Sequence, residues 1–183
     1  MNAAIPVVKD TSLIPTFNEY GTDAAKLCLD QTILKKMHVV VGKIQDSLAD
    51  CTVKISDKQV PTCLNGKVIT IFAPRPEKDS IAAKARDANT QAPIVKVYSD
   101  ALQMASDQGM KSIAFPSVRS GRNGFDPEIV NRVAFLTIYR FMKQNPDAID
   151  RVEIVLTEER YAKNTRDHIG YIFMNTSIFD FGQ

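Results

Sequence analysis

The sequence predicts an α/β protein with a largely parallel sheet that helices cover on both faces. Two observations support this prediction. Short β-branched runs alternate with longer amphipathic segments, and several runs are apolar throughout, as in strands buried on both faces. At 183 residues and 44% hydrophobic content, the chain is long enough for one sizeable core. Because the sequence shows no repeat and no linker, we expect a single domain over residues 1–183.

The N-terminal half carries four predicted elements. A short strand over Ile5–Val8 is closed by Lys9 and Asp10, and a helical pattern follows from Thr22 to Lys36. Met37–Val41 is a β-branched run that predicts a buried strand. Cys51–Ile55 alternates in polarity and predicts a weaker strand at a sheet edge.

The second half opens with a strand over residues 67–72, KVITIF. Residues 77–91 are polar and alanine-rich and predict a loop or a loose helix. An amphipathic face from Ile94 to Ala105 predicts the next helix. Gly109 stands where a left-handed C-terminal cap belongs.

A second strand–loop–helix unit follows. Ser112–Pro116 predicts a short apolar strand, and a polar glycine loop runs from Ser117 to Phe125. Asp126 and Pro127 suit the N-cap and first position of a helix that ends near Gln144. Arg151–Leu156 predicts one more buried strand.

The C-terminal residues 171–183 form an aromatic-rich tail with Tyr171, Phe173, Phe179 and Phe181. Aromatic side chains at a free terminus are costly to expose to water. We therefore expect this tail to dock on the domain or on a partner.

The glycine loop after Pro116 has the features of a phosphate-binding segment. In open α/β sheets, ligands bind in the crevice at the carboxyl ends of the strands. Gly121 and Gly124 allow close approach of the backbone, and successive N–H groups there can form an anion-binding nest. The following helix N-terminus adds a partial positive charge, and Arg119 and Arg122 can close over a pyrophosphate. A plain surface loop that uses glycines for turning is the alternative.

Residues 68–156 resemble the C-terminal half of macrodomains. The resemblance rests on KVITIFAP, on the helical pattern from Tyr98 to Ala105, on the SIAFP strand, and on the S-x-G-x-x-G-like loop from Ser120 to Gly124. It implies a three-layer α/β/α sandwich with a mixed, mostly parallel sheet. It also implies ADP-ribose, or an ADP-ribosylated substrate, as the ligand, bound across the carboxyl end of the sheet.

By the same resemblance, one loop wraps the distal ribose and the pyrophosphate. Its residues are Ser117, Val118, Arg119, Ser120, Gly121, Arg122, Asn123, Gly124 and Phe125. Macrodomains usually carry an aromatic residue at the position of Asn123, so asparagine departs from the family pattern there.

The N-terminal half is similar to macrodomains in fewer places. VVKD resembles the family's first strand, which makes Asp10 a candidate partner of the adenine amino group, or else a turn residue. Asn18 to Ala24 takes the place of an asparagine-rich strand end and a triple-glycine loop, with Gly21 as its one glycine. In that alignment Asn18 is a candidate substrate-orienting residue.

Hydrolysis of an ADP-ribosyl linkage needs a positioned water or nucleophile and a proton carrier. Asp126 is the candidate carboxylate, with Lys67 or Lys78 as a candidate partner, although an N-cap role also explains Asp126. His38 lies in an apolar strand and is expected to be a satisfied core residue. Three hypotheses stand: a hydrolase or phosphatase of ADP-ribose derivatives, a reader of them, and a catalytically inactive interaction module.

Composition excludes several other classes. A formal net charge of +2 gives no basic field for nucleic acid. Cys28, Cys51 and Cys63 form no CxxC pair, which favours a reducing compartment and no metal site. No membrane span or signal peptide is evident, so we expect a cytoplasmic protein that needs no cofactor.

Overall fold

The computed structural model describes residues 9–12, 30–76, 88–118 and 124–175. Within them, one sheet has seven strands in the order β1-β2-β7-β6-β3-β5-β4. The strands are β1 (Lys9–Ser12), β2 (Met37–Val41), β3 (Cys51–Ser56), β4 (Cys63–Asn65), β5 (Val68–Phe72), β6 (Ser112–Pro116) and β7 (Arg151–Leu156). The five inner strands are parallel, and β1 and β4 are antiparallel additions at the two edges.

The helices of the described residues are α1 (Gln31–Leu34), α2 (Ala88–Asp107), α3 (Pro127–Gln144) and α4 (Glu159–Asn175), with a 3₁₀ helix η1 (Ile44–Asp46). Helix α3 packs between α2 and α4, and the main core joins all four α-helices to one face of the sheet. A smaller cluster of Val40, Ala49, Ala114 and Val155, against which η1 packs, lies on the other face. The α/β class and the mixed, mostly parallel sheet are thus confirmed.

Two predicted helix ends are confirmed in detail. Gly109 has φ +69°, and the Met110 and Gly109 amides donate to the carbonyls of Ala105 and Ser106 at 2.9 and 3.0 Å. This pair of bonds is a Schellman cap. At the start of α3, Asp126 accepts a hydrogen bond from the Glu128 amide at 2.8 Å, with Pro127 in the first turn.

Strand β3 was predicted at an edge, and this prediction was wrong. It lies between β6 and β5 and is paired on both sides. Its alternation arises because Cys51 and Val53 are buried in the core, while Thr52 and Lys54 line a cleft on the other face. Alternating polarity here marks one face open to solvent and not an unpaired edge.

The N-terminal strand extends beyond its predicted end at Val8. Strand β1 starts at Lys9, so Asp10 lies inside it, paired with Val40, and does not close it. An edge strand can hold polar residues because backbone pairing alone maintains its ladder. Residues 5–8 and the predicted helical residues 22–29 lie outside the described residues.

The predicted aromatic tail, residues 171–183, begins inside helix α4. Helix α4 continues to Asn175, so Tyr171–Asn175 have helical backbone, because no proline interrupts the segment after Glu159. Residues 176–183, with Phe179 and Phe181, lie outside the described residues.

Candidate functional site

Three neighbouring parallel strands, β2, β7 and β6, end at the same edge of the sheet. The Gly42 amide donates to the Leu156 carbonyl at 2.8 Å and so extends the β2–β7 ladder to the rim. A cleft of about 640 Å³ opens there. We call it the first cleft; its described lining is Gly42, Lys43, Ile44, Gln45, Pro116, Ser117, Pro127, Asn131, Val155, Leu156, Thr157, Tyr161, Asn164 and Thr165.

The first cleft combines apolar walls with a few buried polar groups. Ile44, Pro116 and Leu156 give hydrocarbon surface, while Asn131 and Thr165 are polar residues only 8% and 4% exposed. Both polar residues come from helices that begin beside the cleft. The amino ends of helices carry partial positive charge, so this arrangement suits an anionic ligand with an apolar part.

Tyr161 forms an aromatic wall near the start of α4 and is 44% exposed. The Arg160 guanidinium lies over its ring, 4.7 Å from the centroid, and donates a 2.9 Å hydrogen bond to its hydroxyl. A hydrogen bond from Arg160 to Glu158 raises the pKa of this guanidinium above its ordinary value. The wall therefore carries a permanent cation beside an aromatic ring.

The segment after β2, which contains Ser47, is held in place by hydrogen bonds on the side away from the first cleft. The Ser47 hydroxyl donates to Glu153 Oε2 at 2.8 Å, and Arg151 Nε donates to Glu153 Oε1 at the same distance. Arg151 also lies 3.1 Å from the Nε2 atom of His38. His38 is therefore half-buried in a polar cluster on the sheet surface, not in the apolar core that its strand suggested.

A second cleft, of about 800 Å³, lies over β3 and β5 on the sheet face opposite the main core. It shares Ile44, Gln45, Pro116 and Ser117 with the first cleft, so the two are continuous. Its remaining described lining is Ser47, Ala49, Thr52, Val53, Lys54, Ile55, Lys67, Val68 and Arg75.

Only part of the predicted site lies among the described residues. Ser117 lines both clefts, and Gly124 is half-buried where the loop returns. Val118 and Phe125 are buried in the core, so only their backbone can face a ligand. The other predicted site residues, Asn18, Gly21, Arg119, Ser120, Gly121, Arg122 and Asn123, lie outside the described residues.

The candidate acid–base pair is not brought together by the fold. Lys67 lies in the turn before β5, at the amino end of the parallel strands, whereas Asp126 follows β6 at the carboxyl end. Lys78 lies outside the described residues. Asp126 is exposed next to Pro127, which lines the first cleft.

Sequence reasoning missed two walls of the first cleft, the segment from Gly42 to Gln45 and the start of α4 around Tyr161. A usable signal was present. The rule that ligands bind at the carboxyl ends of parallel strands predicts the loop after the strand that ends at Pro116. The same rule applies at Val41 and Leu156.

Among the described residues, no group of three metal-ligating side chains comes together, and Cys51 and Cys63 are free thiols. Within the same part of the chain, no helix is long and apolar enough to cross a membrane.

The fold is that of an α/β domain with a cleft at the carboxyl ends of parallel strands, where ligands bind in open α/β sheets. Residues 47–134, a little under half of the chain, match the Macro domain family model. Over these residues the chain is similar to the Macro domain family, a family that binds ADP-ribose.

Two curated relatives are similar to parts of the chain, and a solved structure is similar to it in fold. The chain is 34% identical over 64 residues to ADP-ribose glycohydrolase MACROD2 of Xenopus laevis, covering 35% of this chain and 15% of that protein. It is 29% identical over 84 residues to O-acetyl-ADP-ribose deacetylase of Enterobacter cloacae, covering 43% and 47%. The matches thus span less than half the length of these curated relatives. The Trypanosoma brucei macrodomain in complex with ADP-ribose superposes with a TM-score of 0.61 at 15% identity, covering 76% of this chain and 72% of that one.

Proposed function

We propose that the first cleft binds ADP-ribose or a close derivative of it. The observation that carries the proposal is a cleft of about 640 Å³ at the carboxyl ends of β2, β7 and β6 in a chain that is similar to the Macro domain family. Ligand pockets in proteins usually measure roughly 300–1,000 Å³ and combine apolar walls with a few polar groups. The first cleft meets both criteria.

The adenine ring and the pyrophosphate of ADP-ribose would contact different walls of the first cleft. Tyr161, Ile44 and Leu156 offer the flat and apolar surface that an adenine ring needs. Lys43 at the rim forms no hydrogen bond or ion pair through its side chain with any described residue, and it is a candidate partner for the pyrophosphate. Asp10, in the strand beside Val40, remains the proposed partner of the adenine amino group.

We propose the loop from Ser117 to Phe125 as the segment that contacts the pyrophosphate and distal ribose. Its two ends support this role, because Ser117 lines the cleft and Asp126 caps the helix that follows. Val118 and Phe125 would contribute backbone groups, since their side chains belong to the core.

Calorimetric titration of ADP-ribose into the wild type tests the proposal. Ser117→Trp places a bulky ring in the cleft, and Gln108→Trp makes the same addition at an exposed site after α2. We expect micromolar binding that is lost in Ser117→Trp and kept in Gln108→Trp. Absence of binding to folded wild type would overturn the proposal.

A second candidate function is hydrolysis of an ADP-ribosyl linkage or of ADP-ribose 1″-phosphate. It is favoured by the exposed Asp126 carboxylate beside the cleft-lining Pro127, and by the activities named for the two curated relatives. Release of ADP-ribose from a modified protein, followed by chromatography, distinguishes a hydrolase from a reader. Binding without turnover would support the reader.

A further inference from the structure

We infer that the second cleft binds an acidic polypeptide segment that carries the ADP-ribosyl group. The inference rests on the proposed function of the first cleft and adds the chemistry of the group attached to the ligand. Three observations carry it: the two clefts are continuous, cations lie along the second cleft, and no described helix covers that cleft.

The two clefts meet at Ile44, Gln45, Pro116 and Ser117. A group attached to a ligand in the first cleft can therefore extend across Pro116 and Ser117 into the second cleft. At about 800 Å³ the second cleft has room for several residues of a peptide. The group attached to the ligand would lie there.

The cations of the second cleft follow the direction of the strands. Lys67 immediately precedes Val68, which is paired with Thr52, so Lys67 is level with Cys51 and lies three residues before Lys54. At about 3.3 Å per residue, these lysines are spaced roughly 10 Å apart along the sheet. Arg75 continues the series toward the carboxyl end, where it forms an ion pair of 3.0 Å with Asp57.

The charges of the two lysines are available to a partner. The side chains of Lys54 and Lys67 are exposed and form no hydrogen bond or ion pair with any described residue. Among the described residues that line the second cleft there is no Asp or Glu. Glu153, which lies behind the cleft wall, already accepts hydrogen bonds from Ser47 and Arg151. The cleft is therefore complementary to negative charge.

Within the described part of the chain, the connection after β3 leaves this face uncovered. Residues 57–62 pass directly from β3 to β4 without a helix, so no described helix packs over Thr52 and Lys54. Val68 is 36% exposed on the same surface. Aliphatic and threonine side chains next to lysines suit a polypeptide with carboxylates and short apolar side chains.

A nucleic acid carrier fits this surface less well. Proteins that bind single strands combine cations with aromatic side chains on which bases stack. No aromatic side chain is among the described residues lining the second cleft. The net charge of +2 gives no wider basic field.

The test compares three probes by competition with a fluorescent ADP-ribose analogue: free ADP-ribose, a mono-ADP-ribosylated peptide with Glu at the flanking positions, and the same peptide with Gln there. We expect the acidic peptide to bind about 5–20-fold more tightly than the neutral one at low salt, because each exposed ion pair contributes roughly a 1.5–5-fold gain. This preference should disappear at about 0.5 M salt, because the screening length shortens.

The double variant Lys54→Gln, Lys67→Gln should abolish the preference and leave the affinity for free ADP-ribose unchanged. Lys35→Gln removes an exposed lysine outside both clefts and should preserve the preference. Equal binding of the two peptides would overturn the inference while ADP-ribose binding still supports the proposed function. Tighter binding of an ADP-ribosylated oligonucleotide than of the acidic peptide would also overturn it. Failure of free ADP-ribose to bind would instead overturn the proposed function.

Discussion

The Ser47 hydroxyl donates a 2.8 Å hydrogen bond to the Glu153 carboxylate and joins the wall shared by both clefts to the central strand β7. Glu153 is only 8% exposed and also accepts from Arg151. Since the Ser47 segment contains Ile44 and Gln45, this bond fixes the position of residues that line both clefts. The bond is therefore a point at which stability and affinity should change together.

We expect Glu153→Gln to lower the free energy of unfolding by about 1–3 kcal/mol, because it leaves Arg151 without its buried counter-charge. ADP-ribose affinity should fall as the wall loosens. Urea denaturation and calorimetry measure the two effects, with the exposed Asp147→Asn as a control. In a double-mutant cycle with Ser47→Ala, strictly additive losses would show that the bond does not couple the two residues.

Substitutions of Tyr161 test whether the aromatic wall contributes to ADP-ribose binding. Tyr161→Ala should weaken ADP-ribose binding by about 3–10-fold, since the change removes a stacking surface. Tyr161→Phe keeps that surface and should have a smaller effect, although it loses the hydrogen bond from Arg160. Calorimetric titration measures both. Equal affinity of the alanine variant and the wild type would exclude Tyr161 from the site.

Two substitutions of Asp126 distinguish its role as a helix cap from a role in catalysis. Asparagine keeps an oxygen that can accept from the Glu128 amide, whereas alanine does not, so Asp126→Ala alone should lose about 1 kcal/mol of stability. If the carboxylate also transfers a proton in hydrolysis, Asp126→Asn should reduce turnover about 100-fold or more without changing affinity. Wild-type turnover in the asparagine variant would limit Asp126 to the cap.

Replacing Gly109 by a residue with a Cβ atom should lower the stability of the fold, although no atom beyond the adjacent residues lies within 4 Å of that Cβ position. Its φ of +69° is in the left-handed region, so Gly109→Ala should cost about 1 kcal/mol of unfolding free energy. Asn tolerates this conformation better, and Gly109→Asn should cost less. Denaturation curves of the two variants measure the difference. A larger loss in the asparagine variant would contradict the explanation.

Cys51 gives a pH-dependent contribution to stability. Burial, and to a smaller extent the nearby Asp50 carboxylate, raise the pKa of this thiol from 9.0 to about 11. The folded state thus favours the neutral thiol, and its contribution is complete below pH 9 and is lost as pH rises toward 11. The difference in unfolding free energy between the wild type and Cys51→Ala should therefore decrease over that range.

Alkylation provides an independent check on Cys51. Because the thiol is buried and neutral at pH 7.5, iodoacetamide should label it more slowly than the partly exposed Cys63. Peptide mass spectrometry assigns the two rates. Faster labelling of Cys51 would contradict its burial.

Local chemistry explains the parts of the fold that the sequence predicted well. The cap at Gly109, the Asp126–Pro127 helix start and the apolar strand Arg151–Leu156 each depend on a few neighbouring residues. By contrast, the place of Cys51–Ser56 inside the sheet depends on β5 and β6, which are distant in sequence. Local alternation cannot distinguish an edge from a strand with one open face.

The same contrast between local and long-range determinants applies to the candidate site. The loop after Pro116 was predicted because glycines and a helix start lie next to a strand in the sequence. Tyr161 and Lys43 were missed because they reach the first cleft only when β7 pairs between β2 and β6. Contacts of this kind are set by strand order, which sequence pattern leaves open.

The first cleft is built at Gly42, Ser117 and Thr157, which are neighbours in space and widely separated along the chain. A partly folded chain in which β2, β6 and β7 have not yet paired therefore has no cleft. Ligand binding should develop late during refolding, after most helical signal has been regained. A stopped-flow experiment with a fluorescent ADP-ribose analogue would then report completion of the sheet, so the ligand can serve as a kinetic probe of its own binding site's assembly.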